Sequence, residues 1–255
     1  MKPFHSRNES QTAERVASEP VPCNLSPRQV EDMYEVAPKY SSLIHPPHRG
    51  PLLLISGLIT LLWNVSSCVY ASEFTIGNQL PEVSGLIGID GMEWSSKSQA
   101  DAKVLIVVFT CNKCPYSVDY EDRLNALHSQ CVDSDGKVRL LVVNSNTGRN
   151  ESLPEMTKRA KQKQFRFVYV KDGDQSFARS VGAVYTPECF VFDQDRHLVY
   201  KGALDDSTTE TKVKVNYVND AVSAVLAGVP VRKPKAGARG CAIRFKRHRP
   251  ENRKP

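Results

Sequence analysis

Apolar residues follow two different spacings along the middle of the chain. Segments made mostly of apolar, β-forming residues stand at 103–109, 138–144 and 166–170. Each segment predicts a buried strand, because a strand that is covered on both faces needs apolar side chains at every position. Apolar residues three and four positions apart predict an amphipathic helix. Helices are predicted on this basis and from their flanking residues at 116–131, 153–163 and 175–181.

The last third of this region has a different order of elements. Two short runs around a polar turn predict a hairpin of strands 189–193 and 197–200. Apolar residues on one face then predict a helix over 215–227. Alternating strands and helices, followed by a hairpin and a closing helix, predict one α/β domain over residues 73–230, with a mixed central sheet that helices cover on both faces.

The first 71 residues show no such alternation. Residues 1–50 contain seven prolines and little apolar periodicity, so they are predicted to be disordered or not to belong to the working protein. Residues 51–71 follow a basic flank and combine a short apolar core with the small-residue ending Val69-Tyr70-Ala71. That layout predicts a secretory signal. The apolar core is shorter than the roughly 20 residues of a membrane span.

Two other interpretations of residues 51–71 stay open. Cys68 ends a sequence that is similar to a bacterial lipoprotein box, and cleavage before it would leave a lipidated cysteine and a membrane tether. The segment could also persist as an uncleaved anchor. All three interpretations predict an exported domain, either periplasmic or tethered to a membrane and facing outside the cytoplasm.

The positive charge of the chain is concentrated at its C-terminal end. Residues 231–255 hold ten Lys and Arg against one Glu, so they supply +9 to a net charge of +6 and leave −3 for the rest. We predict a basic tail that is solvated or rests on an anionic membrane surface. Nucleic acid is not expected as a partner, because Phe245 is the only aromatic residue in the tail that could stack on a base.

Two cysteines stand where the first predicted strand gives way to a helix. Cys111 and Cys114 enclose Asn112 and Lys113, and Pro115 follows. The unpaired amide groups and the positive end of the helix dipole at such a point favour a thiolate. A thiolate is the nucleophile that attacks disulfides and peroxides. The spacing therefore predicts a redox site, and an exported site of this kind would work where disulfides persist.

The cysteine pair has two other interpretations. Half of a zinc site would need two further ligands at comparable spacing. The remaining cysteines are single and scattered, at positions 23, 68, 131, 189 and 241. An inert structural disulfide would close a loop too short to add much stability, at an unusual place for one. No metal ion is therefore expected.

Five short segments stand out as motifs between about Phe74 and Phe245. They are Cys-Asn-Lys-Cys-Pro-Tyr at 111–116, Tyr-Glu-Asp-Arg-Leu at 120–124, Asn-Ser-Asn at 144–146, Thr-Pro-Glu at 186–188 and Gly-Cys-Ala-Ile at 240–243. Together they resemble the thioredoxin-like redoxins, in the exported bacterial branch that is grouped with the alkyl hydroperoxide reductase/thiol-specific antioxidant (peroxiredoxin-like) family. The resemblance implies a thioredoxin fold, Cys111 as the attacking thiol, Cys114 as its resolving partner and Pro187 as a cis proline that faces the dithiol. It implies no cofactor beyond the Cys111–Cys114 disulfide.

Three positions depart from the pattern of these families. Lys113 places a positive charge beside the thiols, which favours the thiolate and a more oxidising pair. Leu105 stands where thioredoxin buries a carboxylate, so Glu121 or Asp122 on the following helix becomes a candidate acid, unless both belong to a solvated helix face. Thr110 directly precedes the first cysteine, whereas peroxidatic sites of the antioxidant family have the order Thr-x-x-Cys. Peroxidase activity is therefore the weaker implication.

The leading hypothesis is a thiol–disulfide oxidoreductase that acts on protein disulfides or thiols and is reset by an unidentified electron donor. A thiol-dependent peroxidase is the alternative, and a non-catalytic binding module with the same fold is the second alternative. Thr186 is expected to support the site next to the proline. Two auxiliary thiols are candidates: Cys189, on the strand after the proline, and Cys241, in a tail whose apolar residues could dock it on the domain. The alternatives are that Cys189 packs in the core and that Cys241 is an inert tail cysteine.

Overall fold

The computed structural model describes residues 73–132 and 136–246. The predictions for residues 1–50 and 51–71, including Cys68, lie outside the described residues, as does the end of the predicted tail from residue 247. Within the described ranges, no helix combines the length and the apolar character needed to cross a membrane.

A seven-stranded mixed sheet forms the centre of the domain. The described residues form nine strands, and all but β6 and β9 belong to this sheet. The strands are β1 (Leu86–Gly88), β2 (Glu93–Trp94), β3 (Val104–Thr110), β4 (Val138–Asn144), β5 (Val168–Lys171), β6 (Tyr185–Thr186), β7 (Glu188–Phe192), β8 (Leu198–Gly202) and β9 (Cys241–Ala242). The sheet has the order β2-β1-β5-β4-β3-β7-β8, with β3, β4 and β5 parallel. Strands β6 and β9 form a separate antiparallel pair.

Helices cover both faces of this sheet. They are α1 (Pro115–Asp119), α2 (Glu121–Cys131), α3 (Leu153–Lys163), α4 (Ser176–Ser180) and α5 (Tyr217–Ala227). Strand β3 is buried along its whole length, and its alternate residues enter two apolar clusters on opposite faces. One cluster includes Val108 and Met156 of α3, and the other includes Phe109 and Phe177 of α4. The predicted mixed sheet with two covered faces is thus confirmed.

The single helix predicted over 116–131 is divided in the structure. Helix α1 ends at Asp119, and Tyr120 has φ −96° and ψ −5°, outside the regular helical range. Its amide hydrogen-bonds to the Ser117 carbonyl at 3.2 Å, in a tighter turn than an α-helix makes. The spacing of apolar residues continues through the break, which is why the sequence pattern did not reveal it.

The Tyr-Glu-Asp-Arg-Leu motif fastens the start of α2 to the loop after β8. Arg123 donates to Asp205 at 2.5 Å and to the carbonyls of Ser207 and Thr208 at 2.9 and 3.0 Å. The Tyr120 hydroxyl donates to the same Asp205 at 3.0 Å. Because Arg123 and Asp205 are both buried, each depends on the other to balance its charge.

Part of the predicted basic tail docks on the domain. The Lys201 amide donates to Pro234 at 3.0 Å, and Ala236 donates back to Lys201 at 3.2 Å, along the outer side of β8. Farther on, Ile243 is buried and its amide donates to Val184 at 2.8 Å. The Lys246 amide donates to Gln175 at 2.7 Å. The chain is therefore held against the sheet and then across the edge of β6, and this part of the tail is not freely solvated.

Candidate active site

Both cysteines of the Cys-x-x-Cys motif lie at the junction between β3 and α1. Cys114 caps the N-terminus of α1 with extended backbone angles, and Pro115 takes the first helical position, where no amide donor is needed. The Cys114 amide donates to Cys111 Sγ at 3.3 Å. The side chains of Cys111 and Cys114 are only 5% and 3% exposed, whereas Lys113 is exposed. The backbone at the start of α1 thus supplies a hydrogen-bond donor to the sulfur of Cys111.

Strand β6 faces the two thiols. The Thr186–Pro187 peptide bond is cis. Cys114 Sγ donates to the Thr186 carbonyl at 3.0 Å, and Cys111 Sγ lies 3.5 Å from Thr186 Oγ1. Thr186 thus contacts both sulfurs, and the structure brings together four of the residues that the sequence analysis selected. Their catalytic roles stay predictions.

A third cysteine reaches the same point from the C-terminal end of the chain. Cys241 lies opposite Thr186 in the β6–β9 pair. Its amide donates to Cys114 Sγ at 3.4 Å, and its carbonyl accepts from Thr186 Oγ1 at 3.3 Å. The Cys241 side chain is partly exposed, unlike the other two. The predicted auxiliary thiol is therefore placed beside the dithiol.

Cys114 and Cys241 influence each other's ionisation. Burial opposes the ionisation of Cys114, but hydrogen bonds from the Cys241 side chain, the backbone of Ser117 and Cys241, and Thr186 outweigh it, so the pKa of Cys114 lies below its ordinary value. The hydrogen bond to Cys114, followed by burial, raises the pKa of Cys241 to about 11. Cys241 therefore keeps its proton and donates it toward Cys114 in the reduced protein.

A buried polar cluster holds the loop between the two cysteines of the motif. Glu151, in a 3₁₀ turn before α3, accepts from the Asn112 amide at 2.9 Å and from Asn144 Nδ2 at 2.8 Å. The Tyr169 hydroxyl donates to Asn112 Oδ1 at 3.0 Å and accepts from Asn144 at 3.1 Å. Burial raises the pKa of Tyr169 far above its ordinary value, so it remains a donor. These side chains fix the position of Asn112 and hence of the thiols on either side.

Glu151, which sequence analysis missed, is the acid of this cluster. Glu121, which the sequence analysis selected as a candidate, instead contacts Arg159 and Lys163 of α3, the latter at 3.7 Å. Its carboxylate therefore joins α2 to α3. One signal for Glu151 exists in the sequence: it follows the polar loop at the carboxyl end of β4, the edge at which α/β sheets place their sites.

Cys189 does not belong to the group of thiols. It lies in β7 opposite Val108 and is fully buried in an apolar cluster. Burial raises its pKa well above the ordinary value for a cysteine, and a buried thiol of this kind is a poor nucleophile. Its placement matches that of a core residue, so the structure offers no support for its auxiliary role. Among the described residues, no cluster of three or more His, Cys, Asp or Glu is placed to hold a metal ion.

A cavity of about 480 Å³ opens beside the dithiol. Its lining consists of Cys111, Lys113, Cys114, residues 146–151, Cys241, Ala242 and Arg244. Lys113, Arg149 and Arg244 bring three positive charges to this lining against the one negative charge of Glu151, so the cavity favours anionic groups. The thiols of Cys111, Cys114 and Cys241 all border this cavity.

A dithiol lies at a helix N-terminus and faces a cis proline between β6 and β7, beside a mixed sheet that helices cover. These features define a redox protein with a thioredoxin fold. The family model described as Redoxin matches residues 75–219, and the chain belongs to this family. The resemblance to the redoxins is thus confirmed, and the chain has a thiol redox function.

Two solved structures are similar to this chain. A hypothetical protein from Sinorhizobium meliloti is 29% identical, with a TM-score of 0.62 over 69% of this chain and 97% of that chain. An uncharacterized conserved protein from Geobacillus kaustophilus is 28% identical, with a TM-score of 0.63 over 68% of this chain and 93% of that chain. The comparison with curated proteins finds no match.

Proposed function

We propose that the chain is a thiol–disulfide oxidoreductase in which Cys111 attacks a protein disulfide and Cys114 resolves the intermediate. The observation that carries this proposal is the contact of Thr186 with both sulfurs, at 3.5 Å from Cys111 Sγ and 3.0 Å from Cys114 Sγ. A second thiol is therefore in place next to the first, on the same side of one backbone segment. An incoming disulfide that reaches Cys111 has its resolving group within the site.

The proposed reaction moves two electrons from the dithiol to the substrate. The Cys111 thiolate attacks one sulfur of the substrate, its disulfide bond breaks, and the other sulfur leaves as a thiolate that takes up a proton. Cys114 then loses its proton and attacks Cys111 Sγ, which releases the second substrate thiol and leaves the Cys111–Cys114 disulfide. Hydrogen bonds to Cys114 lower its pKa, which supports this second attack. An external electron donor must then reduce the new disulfide.

Reduction of insulin disulfides, with dithiothreitol as the reductant, tests the proposal. We expect the full chain to catalyse this reaction and Cys111→Ser to abolish it, because without the attacking thiol no mixed disulfide with the substrate forms. Cys189→Ala is the matched control, since it removes a thiol that is buried away from the site, and it should remain active. Peroxide consumption is followed in parallel. Peroxide turnover that needs Cys111, without insulin reduction, would show a peroxidase instead.

We also propose that the domain works outside the cytoplasm. The support is the sequence of residues 51–71, with its basic flank, short apolar core and small-residue ending. Mass spectrometry of the natively expressed protein should find an N-terminus near Ser72 or a lipidated Cys68. Recovery of the chain in the cytosol with Met1 intact would contradict export.

A further inference from the structure

Strand β9 occupies the edge of β6 that faces the dithiol. Antiparallel pairing sets Ala242 against Tyr185 and Cys241 against Thr186. The preceding residue, Gly240, lies directly on the Thr186–Pro187 peptide: a Cβ added to it would stand 2.2 Å from the Thr186 carbonyl oxygen. The absence of a side chain at this position lets the backbone approach closely. The C-terminal segment is therefore fitted to the active site by backbone contacts.

We propose that Cys241 is a third redox thiol, which attacks Cys114 in the Cys111–Cys114 disulfide and forms a Cys114–Cys241 disulfide. The proposal rests on the function proposed above and adds a step after it. The step moves the disulfide from a buried pair of sulfurs to a pair that includes the partly exposed Cys241. An electron donor can reach that sulfur from the cavity, and Cys111 is free for another substrate.

The exchange conserves both atoms and electrons. Cys241 loses its proton and its thiolate bonds to Cys114 Sγ, while the bond between Cys114 Sγ and Cys111 Sγ breaks. Cys111 leaves as a thiolate and can accept a proton from solvent. One disulfide is broken and one is formed, so no oxidant or reductant takes part.

The contacts around Cys114 favour this choice of target. Its sulfur donates a hydrogen bond to the Thr186 carbonyl at 3.0 Å and accepts one from the Cys241 amide at 3.4 Å. Strands β6 and β9 therefore hold the Cys114 sulfur from two sides. Cys111 is contacted by the Cys114 amide and by Thr186 Oγ1. Cys114 thus contacts both Cys111 and Cys241, so a disulfide exchange that involves these two cysteines passes through Cys114.

The state of Cys114 controls when Cys241 can react. In the reduced protein the hydrogen bond to Cys114 is the largest cause that raises the pKa of Cys241. Once Cys114 enters a disulfide, its sulfur can no longer become the negatively charged acceptor that strengthens this hydrogen bond. The pKa of Cys241 then falls, and a larger fraction of it becomes thiolate. Oxidation of the dithiol therefore activates the third thiol.

Thiol mapping of the wild-type chain tests the exchange. Reduced protein is treated with a substoichiometric amount of diamide, quenched by acid, alkylated, and digested without reduction for mass spectrometry. We expect a fraction of molecules in which Cys111 is alkylated while Cys114 and Cys241 are linked. Cys189 should stay outside every disulfide. If Cys111 and Cys114 are always lost together and Cys241 is always fully alkylated, the proposal is wrong.

The Cys111→Ser variant gives an independent answer, because its dithiol cannot form. Treatment with diamide should remove two alkylatable thiols, and the linked peptide should join Cys114 to Cys241. Adding Cys241→Ser should abolish that peptide, while adding Cys189→Ala should leave it. Exclusively intermolecular disulfides through Cys114 would overturn the proposal. If only this inference is wrong, no Cys114–Cys241 disulfide forms but insulin reduction still depends on Cys111. If the proposed function is wrong, the Cys111→Ser variant still reduces insulin.

Discussion

Replacement of Gly240 by alanine is expected to release the C-terminal segment from the active site. The added Cβ would stand 2.2 Å from the carbonyl oxygen and 2.6 Å from the carbonyl carbon of Thr186. Both are backbone atoms of β6, so the clash cannot be relieved by a side-chain rotation. Separation of β9 from β6 is the simplest relief, and it exposes Cys241.

The measurement is the rate at which Cys241 is alkylated in the folded, reduced protein. A loss of about 1.4 kcal/mol in the docking of the segment raises its open fraction about tenfold, so we expect an increase of about tenfold or more. Gly237→Ala is the matched control, because a Cβ at that position meets no atom within 4 Å. Equal alkylation rates in the two variants would show that the contact at Gly240 does not hold the segment.

Replacement of Arg123 by alanine is expected to destabilise the whole domain strongly. Asp205 would remain buried, with its side chain only 1% exposed, and would lose its cationic partner. Breaking a buried ion pair from one side costs about 3–5 kcal/mol. The Thr208 carbonyl loses its donor as well, and the Ser207 carbonyl keeps only the Tyr120 hydroxyl at 3.2 Å. Urea unfolding measures this change as a fall in the midpoint at constant slope.

An exposed ion pair provides the control for this experiment. Lys97 lies 2.5 Å from Glu82, with side chains 79% and 70% exposed. Lys97→Ala should change the unfolding midpoint little, because water already solvates both charges. If Arg123→Ala shifts the midpoint no more than Lys97→Ala does, the pair with Asp205 is not a structural tie.

The elements that could be predicted from the sequence are those with a local signal. Strand β4 and helix α3 were predicted with their observed bounds, 138–144 and 153–163. The strand is mostly apolar, with four consecutive apolar residues at 140–143, and Pro154 lies in the first turn of the helix. Strand β5 begins two residues later than predicted. Its partners, and not its own residues, decide where pairing begins.

The short strands could not be predicted, because their formation depends on distant residues. Strand β9 has two residues, which is too few to show a period, and it exists because it pairs with residues 185–186. The same holds for the acids at the site. The sequence analysis selected Glu121 and missed Glu151, because only the folded chain shows that Arg159 contacts the first and that the Asn112 amide contacts the second.

The contact between residues 234–236 and β8 has a consequence for how the molecules behave toward one another. The outermost strand of a sheet presents free amides and carbonyls that can pair with a strand of another molecule. Here the amide and carbonyl of Lys201 are both engaged by Pro234 and Ala236 of the same chain. At the opposite margin, β2 has only two residues. The C-terminal segment therefore protects the edge of the sheet from pairing with another molecule, in addition to contacting the thiols of the active site.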